Sequence, residues 1–348
     1  MEIMRVGVDL AKNLFQVHGV DGSEQPVWAR RLTRSTWLRE LQKRVPAGAE
    51  IGMEACAGSH HWARELRRRG YRVKLMAAQF VKPYVKSNKT DRNDAAAICE
   101  AMSRPSMRFV EVKSVEQQDI QAVHRVRSEL VSRRTSKANQ IRGLAGEYGL
   151  VAPVRIGQLR RALPEWLEDA ENGLSDRFRR LLAGLWEDLR GLDLRIAELD
   201  AEIASIARSD PAAQRLLALR GVGPITATAL VATLGTGEAF RRGRDFSVSV
   251  GLTPKQHSSG GKERLLGISK RGDAYLRHLL VHGARAAVRT APGKDDPLSR
   301  WIQKLLARRH TNVVVVALAS KTARMAWALL RHDAAYEPRL AAKSDSMQ

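Results

Sequence analysis

Short runs with apolar residues at alternate positions fill the first 110 residues, and from Val115 onward the apolar spacing lengthens to three and four. A period of two suits a half-buried strand and a period near 3.6 a helix, so a sheet-containing part must precede a helical one. The sheet begins in residues 4–19. Val6 and Val8 alternate with Arg5 and Gly7 up to Asp9, and after a break at residues 10–13 a second run over 14–20 reads as the other arm of a hairpin. A third run near 26–32 extends the meander. A helix from Ser35 carries Trp37, Leu38 and Leu41 on one face, and a strand over 50–54 ends at Glu54. Ser59 is the expected N-cap of a helix over 60–69 that stops at Gly70. Residues 71–76 alternate again, 79–85 read as a short helical turn, and Thr90 or Asp91 caps a helix to about Met102. A three-strand meander followed by β-α-β-α is the element order of a ribonuclease H-like α/β domain, expected over residues 1–112.

Residues 113–209 read as a long-helix, coiled-coil region. Its first helix, to about Gly143, carries Arg125, Arg127, Arg133, Arg134, Lys137 and Arg142. Its second shows Leu185, Leu189, Leu192, Leu199, Ile196, Ile203 and Ile206 in a heptad seam, which either pairs the two helices or joins two protomers. Between them, residues 151–173 hold two prolines and two glycines and read as a connector with short helical pieces. A C-terminal, mainly helical domain is expected over 210–335. It opens with a helix-hairpin-helix around Gly221-Val222-Gly223, passes a short mixed stretch at 246–252 and a polar glycine-rich loop at 256–268, and ends in helices over 273–290 and 297–330 with a break near 309–312. Residues 336–348 read as a disordered tail.

Charge narrows the class. Lysine and arginine number 59 against 37 acids, a net +22, and an excess of that size calls for a polyanionic partner, with nucleic acid ahead of an anionic membrane. The two cysteines, Cys56 and Cys99, fit neither a disulfide framework nor a zinc spacing. With no apolar signal core at the N-terminus and only seven residues in the apolar run 313–319, the sequence predicts a soluble, cytoplasmic protein without a membrane partner.

Three constellations carry candidate chemistry. Asp9 and Glu54 end neighbouring strands, while Asp91 and Asp94 share one helix face at i and i+3. Converging carboxylates repel one another unless a cation is present, and oxygen ligands suit Mg²⁺ or Mn²⁺; two such ions about 4 Å apart can clamp an in-line phosphoryl displacement. Lys86, Lys89 and Arg92 beside the acids offer countercharge for phosphate. Strand-end residues and a helix-capping pair are the other reading of the same four acids. At Gly221 and Gly223 a hairpin turn can bring backbone amides to a phosphate, or simply join two helices. In the loop 257–264, Lys262 and Arg264 can hold phosphate beside Ser258 and Ser259, and a serine there can act as a nucleophile once activated. Lys270, Arg271 and Arg277 follow in a basic turn and helix, which can also be a solvated face.

Together, GVDLAKNLFQVHGVD, MEACAGSHHWARELRRRGY, VKPYVKSNKTDRNDAAAICEA, GVGPITA and GLTPKQHSSGGKERLLGISKRGDAYLR resemble the blocks of the DEDD transposases of bridge-RNA-guided insertion sequences, in one order along nearly the whole chain. The resemblance implies a RuvC-like N-terminal domain with Asp9, Glu54, Asp91 and Asp94 as a tetrad for two Mg²⁺ or Mn²⁺ ions. It implies a serine nucleophile that forms a covalent 5′-phosphoserine link, carried over to Ser259 with Ser258 as its rival. It further implies donor and target DNA as substrates, a structured guide (bridge) RNA, action at a bacterial nucleoid, and a homodimer or homotetramer in which acids and serine meet across protomers. Three other readings stand beside it: a metal-dependent junction resolvase that uses water, a non-catalytic nucleic-acid-binding protein, and an actin-like sugar kinase. The last is disfavoured because Ala11 and Lys12 stand where a phosphate loop usually has glycine.

Overall fold

The computed structural model describes residues 2–86 and 90–338 and divides the chain into two compact units, Met1–Ser114 and Val115–Gln348. The expected nucleic-acid contact Lys89 and most of the expected tail lie outside the described residues.

The first unit is a mixed sheet with helices. Its strands are β1 (Arg5–Leu10), β2 (Leu14–Val20), β3 (Pro26–Thr33), β4 (Glu50–Glu54), β5 (Arg72–Met76) and β6 (Phe109–Val110), arranged β3-β2-β1-β4-β5-β6. β1, β2 and β3 form the antiparallel meander, β1, β4 and β5 run parallel, and β6 is antiparallel to β5. Helices α1 (Trp37–Arg44), α2 (Ser59–Arg68), α3 (Ala78–Val81) and α4 (Asp91–Met102) complete the unit. One sheet face, through Val6, Val8, Phe15, Val17, Ile51 and Met53, packs with Trp37, Leu41, Trp62 and Leu66 of α1 and α2. Phe15, Trp37 and Trp62 meet edge to face at 5.0–5.4 Å, a geometry that adds to the area they bury.

α4 lies against the other face, and this is possible because β1 carries Gly7. A Cβ there would stand 2.2 Å from the Ala95 carbonyl oxygen and 2.6 Å from the Cys99 amide nitrogen, so no side chain fits beneath the helix. One local expectation changes, and one strand adds to those expected. Gly58, at φ +84°, is the N-cap of α2, and Ser59 is its first residue, with its hydroxyl donating back to the Cys56 carbonyl at 2.8 Å. β6 has two residues, too few for a periodicity to show.

The second unit is mainly helical: α5 (Val115–Gly146), α6 (Ile156–Glu168), α7 (Asp176–Ser209), α8 (Pro211–Leu217), α9 (Pro224–Leu234), α10 (Gly243–Ser249), α11 (Ala274–Arg289), α12 (Pro297–Leu306) and α13 (Thr311–Arg331), with a hairpin of β7 (Pro254–Gln256) and β8 (Leu265–Ile268). α5 and α7 pair antiparallel within the chain. Arg127 meets Asp200 at 2.5 Å, Arg134 meets Asp193 at 3.4 Å and Lys137 meets Asp188 at 2.9 Å. Of the heptad seam, Leu189, Ile196 and Ile203 are fully buried, whereas Leu185, Leu192, Leu199 and Ile206 are half-buried. The connector holds one 13-residue helix that continues through Pro164, and residues 243–249 are helical.

α13 is long and apolar enough to cross a membrane by composition, yet ten of its residues are buried in this unit. The apolar run is longer than its sequence suggests because Lys321 is itself buried, with its ammonium 5.1 Å from the Trp301 ring centre.

Candidate active site

Pleat and register place the acids of the first unit. Val8 pairs with Met53 between the parallel strands β1 and β4, so Asp9 and Glu54, one residue further on, stand side by side at the strands' C-terminal ends. Val6, Val8, Ile51 and Met53 occupy the opposite face, which leaves Gly7, Asp9, Gly52 and Glu54 on the α4 face. Asp94 immediately precedes Ala95, the residue whose carbonyl sits over Gly7, and Asp91 lies one turn nearer the helix start, where Thr90 caps the Asn93 amide at 3.3 Å. Both helix acids fall in the first turn, where the helix dipole favours negative charge.

Cys56 reports the same convergence. Partial burial, then the Glu54 and Asp9 carboxylates, push its thiol above the usual range. On β2, burial, then the Arg92 guanidinium, hold His18 below its ordinary value. The donors are all carboxylate oxygens, the chemistry a hard divalent cation requires. Among the described residues no three Asp, Glu, His or Cys side chains are gathered closely enough to hold a metal ion together. The fit is therefore one of donor type and backbone placement.

In the second unit, the glycine-rich loop is a hairpin tip. Gly260 and Gly261 have φ +56° and +76°, both positive as a type I′ turn requires, and the Lys262 amide donates to the Ser259 carbonyl at 3.1 Å. Both serines stand on the arm that enters the turn, but their environments differ. Ser258 Oγ accepts from Gln256 Nε2 at 3.1 Å and from the Arg264 amide at 3.3 Å, so it ties the hairpin arms together. Ser259 is exposed at the tip, and its hydroxyl has no hydrogen-bond partner among the described residues.

A family model described as "Transposase IS116/IS110/IS902 family" matches residues 213–298, and a second transposase model, of the DEDD type of the same group, matches residues 6–149. The chain belongs to the IS116/IS110/IS902 transposase family. It is 52% identical to a probable family 20 transposase of Pseudomonas aeruginosa, over 97% of this chain and 100% of the relative. It is 44% identical to the transposase for insertion sequence element IS1111A of Coxiella burnetii, over 96% and 92% of the two chains. It is 41% identical to the transposase for insertion sequence element IS1328 of Yersinia enterocolitica, over 92% and 95%. This transposase is thus an enzyme of DNA cleavage and joining, of a type that uses divalent metal.

The remaining candidate residues of the transposase divide by environment. Lys262 and Arg264 are exposed on the hairpin, and Lys270 and Arg271 on the turn after it. Arg277 instead donates to the Val250 and Arg271 carbonyls at 3.0 and 2.9 Å, bracing the base of the hairpin. Lys86 pairs with Glu100 at 2.9 Å, nine residues along α4 from Asp91, so the structure does not bring it to the acids. Gly221 packs on α11, where an added Cβ would stand 2.4 Å from the Gly283 carbonyl, while Gly223 lies at the exposed start of α9 with open space around it. Gly7 is the residue that sequence reasoning passed over. Its signal was a glycine between two valines in an otherwise regular strand.

Proposed function

We propose that the transposase cleaves and exchanges DNA strands with two separate sets of groups: the carboxylates Asp9, Glu54, Asp91 and Asp94 on a ribonuclease H-like, RuvC-like first unit, and the hydroxyl of Ser259 on the second. The placement of Asp9 and Glu54 at adjacent parallel strand ends, under the first turn of α4, is the observation that carries this reading. Such carboxylates would hold Mg²⁺ or Mn²⁺, which supplies charge neutralisation and polarisation of a phosphodiester. Ser259 Oγ attacks the phosphorus, the Oγ–P bond forms as the P–O3′ bond breaks, and the serine proton leaves as the 3′ oxygen gains one. The product is a 5′-phosphoserine and a free 3′-hydroxyl, and attack by another strand's 3′-hydroxyl restores the serine. A structured guide RNA would choose donor and target by pairing, which gives the +22 charge a second polyanion to meet, and a homodimer or homotetramer is the assembly this chemistry implies.

The test is denaturing electrophoresis of the full-length protein with its co-purified RNA, labelled substrate DNA and Mg²⁺. The expected result is a protein–DNA adduct that survives Ser258→Ala and is absent in Ser259→Ala. An adduct with Ser259→Ala removes the nucleophile assignment, and metal-dependent cleavage with no adduct in any variant points to a resolvase that uses water.

A further inference from the structure

The register that aligns the acids continues beyond them. Asp9 pairs with Gln16 on β2, and Gln16 pairs with Arg31 on the edge strand β3. Paired residues in a sheet share a face, so Glu54, Asp9, Gln16 and Arg31 form one row across four strands on the α4 side. The neighbouring positions confirm the parity: Phe15, Val17, Trp28 and Leu32 all belong to the core on the other side. Two carboxylates are thus followed outward by an amide and a guanidinium. α4 covers the row beneath, at Gly7 and Gly52, and Arg31 is exposed. Neither the Gln16 amide nor the Arg31 guanidinium has a hydrogen-bond or ion-pair partner among the described residues. Strands lie about 4.8 Å apart, so the Arg31 backbone stands about 10 Å from that of Asp9, within reach of an arginine side chain directed back along the row.

We propose that Gln16 and Arg31 are the substrate-positioning half of this row, in which the Gln16 amide donates to the DNA backbone beside the cleaved phosphate and Arg31 binds a flanking phosphate. The proposal rests on the reading of Asp9 and Glu54 as the cleavage centre. A guanidinium suits the role because its planar donors match phosphate oxygens in pairs, and it keeps its charge at every working pH. An edge strand suits it because nothing in the sheet competes for its outer surface. Arg30 supplies an internal control: it is adjacent, exposed and of the same charge, but its side chain belongs to the opposite face.

The experiment is single-turnover cleavage by the full-length protein with its RNA and Mg²⁺, over a range of DNA concentrations and salt, for Gln16→Ala, Arg31→Ala, Arg31→Lys, Arg30→Ala and Asp9→Asn. Arg31→Ala should raise the DNA concentration for half-maximal cleavage about tenfold with little change in the plateau rate, the size expected for one charged hydrogen-bonded contact. It should also flatten the slope of log affinity against log salt by about 0.7–0.9, one phosphate's share. Arg31→Lys should recover the slope and part of the affinity, Gln16→Ala should weaken binding without altering the slope, and Arg30→Ala should match the unaltered protein. Asp9→Asn should abolish the plateau while DNA binding persists. If Arg31→Ala changes neither quantity, or Arg30→Ala changes both equally, the positioning role is overturned while the cleavage centre stands. If Asp9→Asn still cleaves, the cleavage centre fails, and the row's role with it.

Discussion

At the scale of single residues, two hydroxyls one position apart on the arm that enters the turn have opposite roles, because only one of them reaches across to the other arm. Ser258 is bonded across the hairpin and Ser259 is presented at its tip, so Ser258→Ala is expected to loosen the hairpin by about 1 kcal/mol, and Ser259→Ala to leave it intact. Hydrogen exchange at the Arg264 amide distinguishes them, rising in the first variant and not in the second. His124 offers a second residue-level test. Its Nδ1 and Nε2 lie 2.9 Å from Tyr275 Oη and Thr228 Oγ1, and the Thr228 hydroxyl donates to the Pro224 carbonyl, so Nε2–H donates to Thr228 and Nδ1 accepts from Tyr275. That is a neutral imidazole, and burial, helped by Arg127, pulls its pKa down to about 4 from 6.5. Between those two values the unfolded chain takes up a proton that the folded chain does not. Stability is therefore unaffected by this group above pH 6.5 and falls as pH drops from 6.5 to 4, by up to about 1.4 kcal/mol per pH unit. The urea midpoint measured across that range should decline more steeply in the unaltered protein than in His124→Gln. Equal slopes would mean that His124 is charged when folded.

Among elements, α4 depends on the absence of a side chain beneath it. Gly7→Ala puts a methyl group against two backbone atoms of the helix, so α4 must move, at a cost of about 1–3 kcal/mol. Because α4 carries Asp91 and Asp94, cleavage should fall much further than stability, and urea unfolding beside a cleavage assay separates the two effects. The meander, the parallel strands and the helix order were legible because large apolar side chains in β1, β2 and β4 fall at alternate positions towards the α1 and α2 core, while the α4 side carries glycine and polar residues, which leaves a period of two. The hairpin of β7 and β8 was not. All of Pro254–Gln256 and nearly all of Leu265–Ile268 are exposed, including Leu265 at 64% and Leu266 at 44%, so no inward face imposes an alternation. Its only signal was the Gly260-Gly261 pair, which reads equally as a flexible loop. The four acids were legible as strand-end and helix-start residues. That Asp9 and Glu54 share a face with Gln16 and Arg31 was not, since register across a crossover and a meander is a property of pairing. The ion pairs of α5 were hidden for the same reason: Arg127, Arg134 and Lys137 meet acids 51 to 73 residues away.

Those pairings bear on how the whole molecule meets a polyanion. A net charge of +22 measures an excess, not a surface, and part of the basic count is already matched within the fold. Arg127, Arg134 and Lys137 are held by acids of α7, Arg160 also reaches Asp193 at 2.5 Å, and Arg220 binds Asp296 at 2.7 Å. Burial works against the Asp296 carboxylate, yet the Ser299 and Arg220 hydrogen bonds hold it well below the usual range, so that arginine is committed at neutral pH. The cations left to contact phosphate are exposed ones such as Lys262, Arg264, Lys270 and Arg271. With six to ten phosphate contacts, DNA affinity should fall about 10³–10⁵-fold between 50 and 200 mM salt. Replacing Lys262 with alanine should lower the log–log salt slope by about one contact's worth and weaken binding to all sequences alike. Lys137→Ala should leave that slope unchanged and act on stability instead, because its charge is already compensated by Asp188. Filter-binding titrations at several salt concentrations check both variants. A slope that responds to Lys137 and not to Lys262 would place the nucleic acid along α5 rather than at the hairpin.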